Sequence, residues 1–295
     1  MRLTPFLLLA AAALALPARA QSAADWFHKG RALMDSGKAD QAVKAFENAV
    51  KLDDRNSSNH LWLANALGTV AQKSNVIKQG MMAPRIKREM ERARDLDSTS
   101  IEAHRGMMQF YLGAPGFMGG SVVKARAEAA AIGRLNRLQG HLAAVTIAQH
   151  EKDSTTIERE LRAAVTDDPD SASAYVQLGF YLANTKRGEE SIATIDRLLA
   201  RHPGHPLGLF YLGRFAGMSG LQLDRAEKSL RQFLALPPDT ADKARPGLAI
   251  AHTRLADVLA KKGAKDDARK EYEAALQLNP KLDPAQSGLK QLRDR

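Results

Sequence analysis

The chain has 295 residues, of which 43 are Lys or Arg and 33 are Asp or Glu, giving a formal charge of +10 with 44% hydrophobic residues and no cysteine. The missing cysteines exclude disulfides, thiolate nucleophiles and cysteine-based metal sites. A chain this long can bury a sufficient core without covalent staples.

The first twenty residues read as a leader. Arg2 supplies a small positive start, Phe6 to Leu16 is an apolar run, and Ala18-Arg19-Ala20 is the small-x-small pattern after which a signal peptidase cuts. A membrane anchor is the competing reading, but it needs about 20 apolar residues, and this run stops well short. The expected mature chain therefore starts at Gln21 and is periplasmic or secreted. Without Arg2 and Arg19 its 41 basic and 33 acidic residues leave +8. Nucleic acid is not expected as a partner in that compartment. The charge suits solubility, acidic partners, or weak attraction to anionic lipid and polysaccharide surfaces.

From Ala23 onward the chain reads as helix after helix, with a period of 34 residues. His141, Tyr175 and Leu209 are one period apart, as are Ala144, Leu178 and Leu212, then Leu161 and Ile195, then Pro169 and Pro203. In chain order the helix pairs are predicted over 23–56, 57–100, 101–137, 138–171, 172–205, 206–238 and 249–282, with a closing helix over 283–295. That last segment opens on Asp283 and Pro284 and turns Leu289 and Leu292 inward. In the second pair a surplus of about ten residues lies in the Lys73 to Pro84 region and is expected as a loop. In the third, the surplus lies in Gly113 to Ser121, where Pro115, Gly116, Phe117, Met118, Gly119 and Gly120 form an apolar-tipped turn. Insertions at equivalent points of a repeat stack project from one edge, so the two segments are expected side by side as a lip. Phe117 and Met118 either tuck back over the core or form a tip that contacts a partner.

The residues at these repeated positions resemble the tetratricopeptide repeat (TPR) consensus. The first pair carries Trp26, Gly30, Leu33, Gly37, Ala42, Phe46, Ala49 and Leu52, with Asp54 where proline is usual. The seventh carries Leu255, Ala256, Leu259, Gly263, Ala268, Tyr272, Ala275, Leu278 and Pro280. The resemblance implies an all-α fold, a right-handed superhelical solenoid of about seven helix pairs plus a C-terminal capping helix. It also implies a binding groove lined by the first helix of each pair. On this chain the expected groove residues are Phe27, Arg31, Trp62, Asn65, Gln109, Phe180, Tyr211 and Arg214, with Arg105, Thr146, Val176, Phe210, Thr253 and Asp257 beside them. Aromatic residues and arginine dominate interface energetics, so Trp62, Phe180, Tyr211 and Arg214 are the expected anchors. The Lys-Asn-Asn-Lys-Arg set with which some TPR domains hold a C-terminal carboxylate is absent: the main positions offer Arg31, Asn65 and Gln109.

No nucleophile motif, paired-acid arrangement or cofactor fingerprint is present, so no catalytic residue, metal or cofactor is expected. Gly119-Gly120-Ser121 before a helix lacks the immediate lysine of a phosphate-binding loop. His60, His104, His141 and His252 fall on the repeat position of Trp26 and Tyr175, a packing slot, and His202 and His205 flank Pro203 without a nearby set of carboxylates. The expected function is a periplasmic scaffold that binds an extended peptide or partner subunit. The alternative is a small-ligand or cell-wall-fragment binding protein, accessory to an envelope transporter.

Overall fold

A computed structural model describes residues 21–237 and 246–293. The leader read at residues 1–20, the junction after Pro237 and the last two residues lie outside the described residues. Among the described residues the fold is entirely helical, with fifteen α-helices and one 3-10 turn. None of these helices is long and apolar enough to cross a membrane. The helices fall into two compact units that meet in the chain between Ser121 and Val122.

The first unit holds α1 (Ala23–Asp35), α2 (Ala39–Leu52), α3 (Ser57–Gln72), α4 (Val76–Leu96) and α5 (Ile101–Gly113), followed by the 3-10 turn Gly116–Met118. Its helix starts are written in the sequence. Ser22 and Asp25 form a reciprocal capping box, while Asn56, Asn75 and Ser100 each accept a backbone N–H from the first turn they precede. Ala42, Ala45, Phe46 and Ala49 of α2 are buried against α1 and α3, and Leu61, Leu63, Ala64 and Leu67 of α3 are buried in turn.

The Lys73 to Pro84 segment is not a loop. Only Lys73, Ser74 and Asn75 separate α3 from α4, and the surplus residues lengthen α4 to 21 residues with Pro84 inside it. Asn75 starts the helix early, and Ala83, Ile86, Met90 and Ala93 then keep one buried stripe at three- and four-residue spacing. The expected neighbourhood of the two surplus segments does hold. The 3-10 turn packs on α4, and a Cβ placed on Gly80 would stand 3.0 Å from Met118 Cε.

The second unit holds α6 (Val122–Leu135), α7 (Arg137–Glu151), α8 (Ser154–Asp167), α9 (Ala172–Asn184), α10 (Gly188–Arg201), α11 (Pro206–Ser219), α12 (Leu223–Leu234), α13 (Leu248–Lys261), α14 (Lys265–Leu278) and α15 (Asp283–Arg293). Each helix packs on the next in the chain, α12 still meets α13 across the undescribed gap, and α11 touches both α9 and α13. One core runs through Leu161, Val165, Tyr175, Leu178, Leu182, Ile195, Leu198 and Phe215. Another runs through Phe210, Leu230, Phe233, Leu255, Val258 and Leu259. Close approach needs small residues: a Cβ on Gly179 would meet Phe215 Cε2 at 2.3 Å, so only glycine lets α11 press its phenyl ring against α9. The last helix covers the open end as expected, with Ala285 fully buried beside Tyr272 and Ala275.

Candidate functional site

Helices α1, α3 and α5 carry the expected groove residues of the first unit. Gly30 leaves room for Phe46, which meets Phe27 edge-on at 5.8 Å and Trp62 at 6.1 Å. Above this ladder the Arg31 guanidinium lies over the indole of Trp62, 3.8 Å from the ring centroid. Arg31 Nε is buried and has no hydrogen-bond partner among the described residues. On α3 and α5, Trp62, Asn65, Arg105 and Gln109 line a cavity of about 210 Å³. Asn65 and Gln109 also border a larger cavity of about 570 Å³, lined in addition by Pro115 and Met118.

The predicted loop divides at its tip. Met118 is half-buried on α4, whereas Phe117 stands 86% exposed, so only one of the pair tucks back. Backbone geometry fixes this arrangement. Gly119 sits at φ +97°, and a Cβ on Gly120 would lie 1.7 Å from the carbonyl oxygen of Ala114, which leaves glycine as the residue that fits both positions.

In the second unit the face formed by α9, α11 and α13 is more elaborate. Phe180, Tyr211 and Phe215 form an aromatic triangle with centroid separations of 5.4, 5.0 and 5.6 Å. The Arg214 guanidinium lies over it, 4.5 Å from the centre of Phe180 and 5.8 Å from that of Tyr211. It borders a cavity of about 330 Å³ lined also by Arg254, Asp257, Lys261, Tyr272 and Gln291. Asp257 is the one carboxylate lining that space among the described residues, and it is already engaged. It accepts from Arg254 at 2.8 Å and from the Tyr272 hydroxyl at 2.7 Å. Burial and the bond to Asp257 push the Tyr272 phenol well above its ordinary range, so it stays a donor. Lys261 is spent on the end of α11, where its Nζ donates to the carbonyls of Gly217 and Met218.

Arg214 therefore faces the cavity without a carboxylate partner among the described residues. Burial, and then the neighbouring Arg254, pull its guanidinium below the ordinary arginine range. The three buried side-chain nitrogen or oxygen atoms that lack a partner among the described residues are Arg31 Nε, Arg214 Nε and Arg254 Nε. All three belong to the first helix of a pair. A buried donor left unsatisfied costs free energy of about 1–3 kcal/mol, so each is a place where an incoming acceptor gains more than it would on open surface.

Three residues expected beside the groove are core instead. Phe210, Val176 and Thr253 are buried, Phe210 against Phe233 at 5.4 Å, and the Thr253 hydroxyl donates to the Ala249 carbonyl one turn back. The first helix of a pair turns its flanks into its neighbours, so positions next to the groove stripe are covered. Arg254, which the repeat positions do not flag, belongs to the site. Its spacing three residues before Asp257 suggests a spent surface pair and hides its unsatisfied Nε.

The histidines hold helices together. His60, His141 and His252 each place Nδ1 at 2.6–2.8 Å from a glutamate of the following helix, namely Glu89, Glu160 and Glu271. His202 meets Asp170 at 2.9 Å, and His205 accepts the backbone N–H of Leu207 at the start of α11.

Comparison with known proteins agrees with the helical-repeat fold. Models of the tetratricopeptide repeat match residues 23–56 and 249–282, and a second model of the same repeat matches residues 158–215. The chain carries tetratricopeptide repeats over these residues. Among solved structures, a tetratricopeptide repeat protein from Parabacteroides merdae superposes with a TM-score of 0.51 at 14% identity, covering 92% of this chain and 99% of that one. An IFIT1 monomeric mutant with m7Gppp-AAAA gives a TM-score of 0.54 at 12% identity, over 92% of this chain and 63% of that one. Both likenesses are of fold. Among curated proteins, the Protein O-mannosyl-transferase Tmtc3 of Drosophila melanogaster is 32% identical over 92 residues, which is 31% of this chain and 10% of the length of that relative. TPR proteins are in general scaffolds for protein partners, and nothing in the site points to catalysis.

Proposed function

We propose that this protein is a periplasmic TPR adaptor that holds an extended peptide, or an extended segment of a partner subunit, on the face formed by α9, α11 and α13. A carboxylate of that peptide rests on Arg214, and an apolar side chain lies on Phe180 and Tyr211. The observation that carries this reading is the half-buried guanidinium of Arg214, stacked on Phe180 with its Nε unsatisfied and with the one nearby carboxylate already taken by Arg254 and Tyr272. A charged donor held rigid by an aromatic shelf loses little entropy on binding, and its desolvation is already in place. The apolar run from Phe6 to Leu16 with Ala18-Arg19-Ala20 after it supports the periplasmic reading. Peptides selected from a random library on residues 21–295 should carry an acidic or C-terminal carboxylate beside an apolar residue. Their affinity should collapse in the Tyr211→Ala, Arg214→Ala double variant. Unchanged affinity in that variant would remove the site.

A second reading, small-ligand binding, draws on the cavity of about 570 Å³ between α3, α4 and α5, whose walls mix Ala83, Ile86 and Met90 with Asn65, Gln79 and Gln109. A compound filling it should raise the melting temperature with concentration, and Gln109→Ala should abolish that rise while leaving peptide binding on the second unit unchanged.

A further inference from the structure

The first unit carries an edge that neither reading uses. Val76, Ile77 and Met81, in the opening turns of α4, are 70%, 77% and 77% exposed, and Phe117 on the adjoining 3-10 turn is 86% exposed. These are four of the most exposed large apolar side chains among the described residues. They gather at one place because Met118 seats the turn on Gly80, between Ile77 and Met81 in the helix. Asn75 and the glycines of the turn hold the edge in shape, so the apolar side chains are presented by capped and braced backbone.

The charge around this edge has one sign. From Gln72 to Arg88 the chain contains Lys73, Lys78, Arg85, Lys87 and Arg88 and no acidic residue, and from Gly106 to Ser121 it contains no charged residue at all. The basic residues also sort by position. Two of those further along α4 are paired, Arg85 with Glu47 at 2.7 Å and Lys87 with Glu91 at 2.8 Å. Lys73 and Lys78, beside the exposed apolar residues, have no carboxylate partner among the described residues.

We propose that this edge is a membrane-surface contact: Ile77, Met81 and Phe117 enter the interface of an anionic bilayer while Lys73 and Lys78 lie against its headgroups. Exposed aliphatic and aromatic tips with free lysines at their base are what interfacial insertion needs, since burial of the tips and attraction to anionic lipid act together. A protein partner of ordinary surface would leave the two lysines without counter-charge, whereas an anionic leaflet supplies it everywhere. The contact is peripheral, and it uses no residue of the α9, α11 and α13 face.

Vesicle flotation tests this with residues 21–295, using phosphatidylcholine alone and phosphatidylcholine mixed with phosphatidylglycerol. The protein should float with the anionic vesicles and not with the neutral ones. The Ile77→Ser, Phe117→Ser double variant and the Lys73→Glu, Lys78→Glu double variant should each lose roughly tenfold in binding. A Phe117→Trp variant, with the wild-type signal subtracted, should shift its emission to the blue on anionic vesicles. Circular dichroism and melting of each variant should match wild type, because every altered side chain is exposed. Arg214→Ala should float as wild type does, which separates this contact from the peptide face. Absence of flotation, wild-type flotation of both double variants, or an indole emission from the Phe117→Trp variant that lipid leaves unmoved would each overturn the proposal.

Discussion

The exposed edge of the first unit and the α9, α11 and α13 face of the second are built from similar residue types, aromatic and basic, yet they present them in opposite ways. At the edge, Phe117 and Lys78 stand apart in water, the ring on a glycine-braced turn and the ammonium without a carboxylate partner among the described residues. On the second unit's face, the ring and the cation are stacked, Arg214 on Phe180, and both are partly buried. A stacked and desolvated pair can select one carboxylate in one orientation. A dispersed pair can only favour a broad anionic, apolar boundary. Burial, more than composition, separates the two surfaces.

The widest gap between them should appear in stability. Phe215 is the fully buried corner of the aromatic triangle, so Phe215→Ala should cost about 3–5 kcal/mol in urea unfolding. Phe117→Ala removes the same ring from water and should change stability by less than about 0.5 kcal/mol. Equal losses would mean that the exposed edge is part of the core.

Arg214→Met sharpens the contrast between stability and binding. Replacing a partly buried, unpaired cation by an apolar chain of similar length should leave the melting temperature unchanged or raise it. The same change should weaken a selected peptide by about 2 kcal/mol, roughly thirtyfold, in calorimetry. A fall in melting temperature would show that Arg214 stabilises the fold, and the account of a donor held ready for a ligand would fail.

A smaller effect should come from the cap that lengthens α4. Asn75 Oδ1 accepts the Lys78 backbone N–H at 2.9 Å, so Asn75→Ala should cost about 1 kcal/mol. Hydrogen exchange should speed up in the first turn of α4 and leave α9 to α14 as they were.

The smallest effect per residue is electrostatic, and it again divides the units. In the second unit, bonds from Arg187 and Arg162 hold Glu158 below the ordinary carboxylate range. Arg187 does the same for Glu190, Lys262 for Glu227, and Arg201 with His202 for Asp170. In the first unit the depressed carboxylate among the described residues is Asp97, held by the Thr99 hydroxyl and backbone N–H. Carboxylates with depressed folded values stabilise fully above their unfolded values, near about 4, and lose that contribution as pH falls through the folded ones. The melting temperature should therefore stay level from about pH 7 to 5 and fall below about pH 4. Glu158→Gln with Glu190→Gln should make that fall shallower, and hydrogen exchange at acid pH should show the second unit loosening more.

Much of this was legible in the amino acids. The period of 34 residues, the asparagine and serine caps and the buried alanines give the pairing of helices, because each follows from spacing along one chain. The extension of α4 was hidden because the residues in excess of the 34-residue period, in the Lys73 to Pro84 region, read as a loop between the paired helices, although the stripe of Ala83, Ile86, Met90 and Ala93 already carried the helical period. For the site, Phe180, Tyr211 and Arg214 could be named from repeat position. That Arg214 lacks a carboxylate partner among the described residues could not, since it depends on Asp257 being claimed by Arg254 on its own helix and by Tyr272 on the next. Likewise, the split between Phe117 and Met118 turns on which of them meets Gly80.

Photocrosslinking in cells addresses the peptide face most directly. A benzophenone amino acid replacing Met218, exposed at the rim of the Arg214 cavity, is compared with one replacing Lys228, on α12. The account predicts a discrete crosslinked partner at Met218 that disappears when Arg214→Ala is added, with none at Lys228. The same adducts at both positions, or an adduct at Met218 indifferent to Arg214, would contradict it.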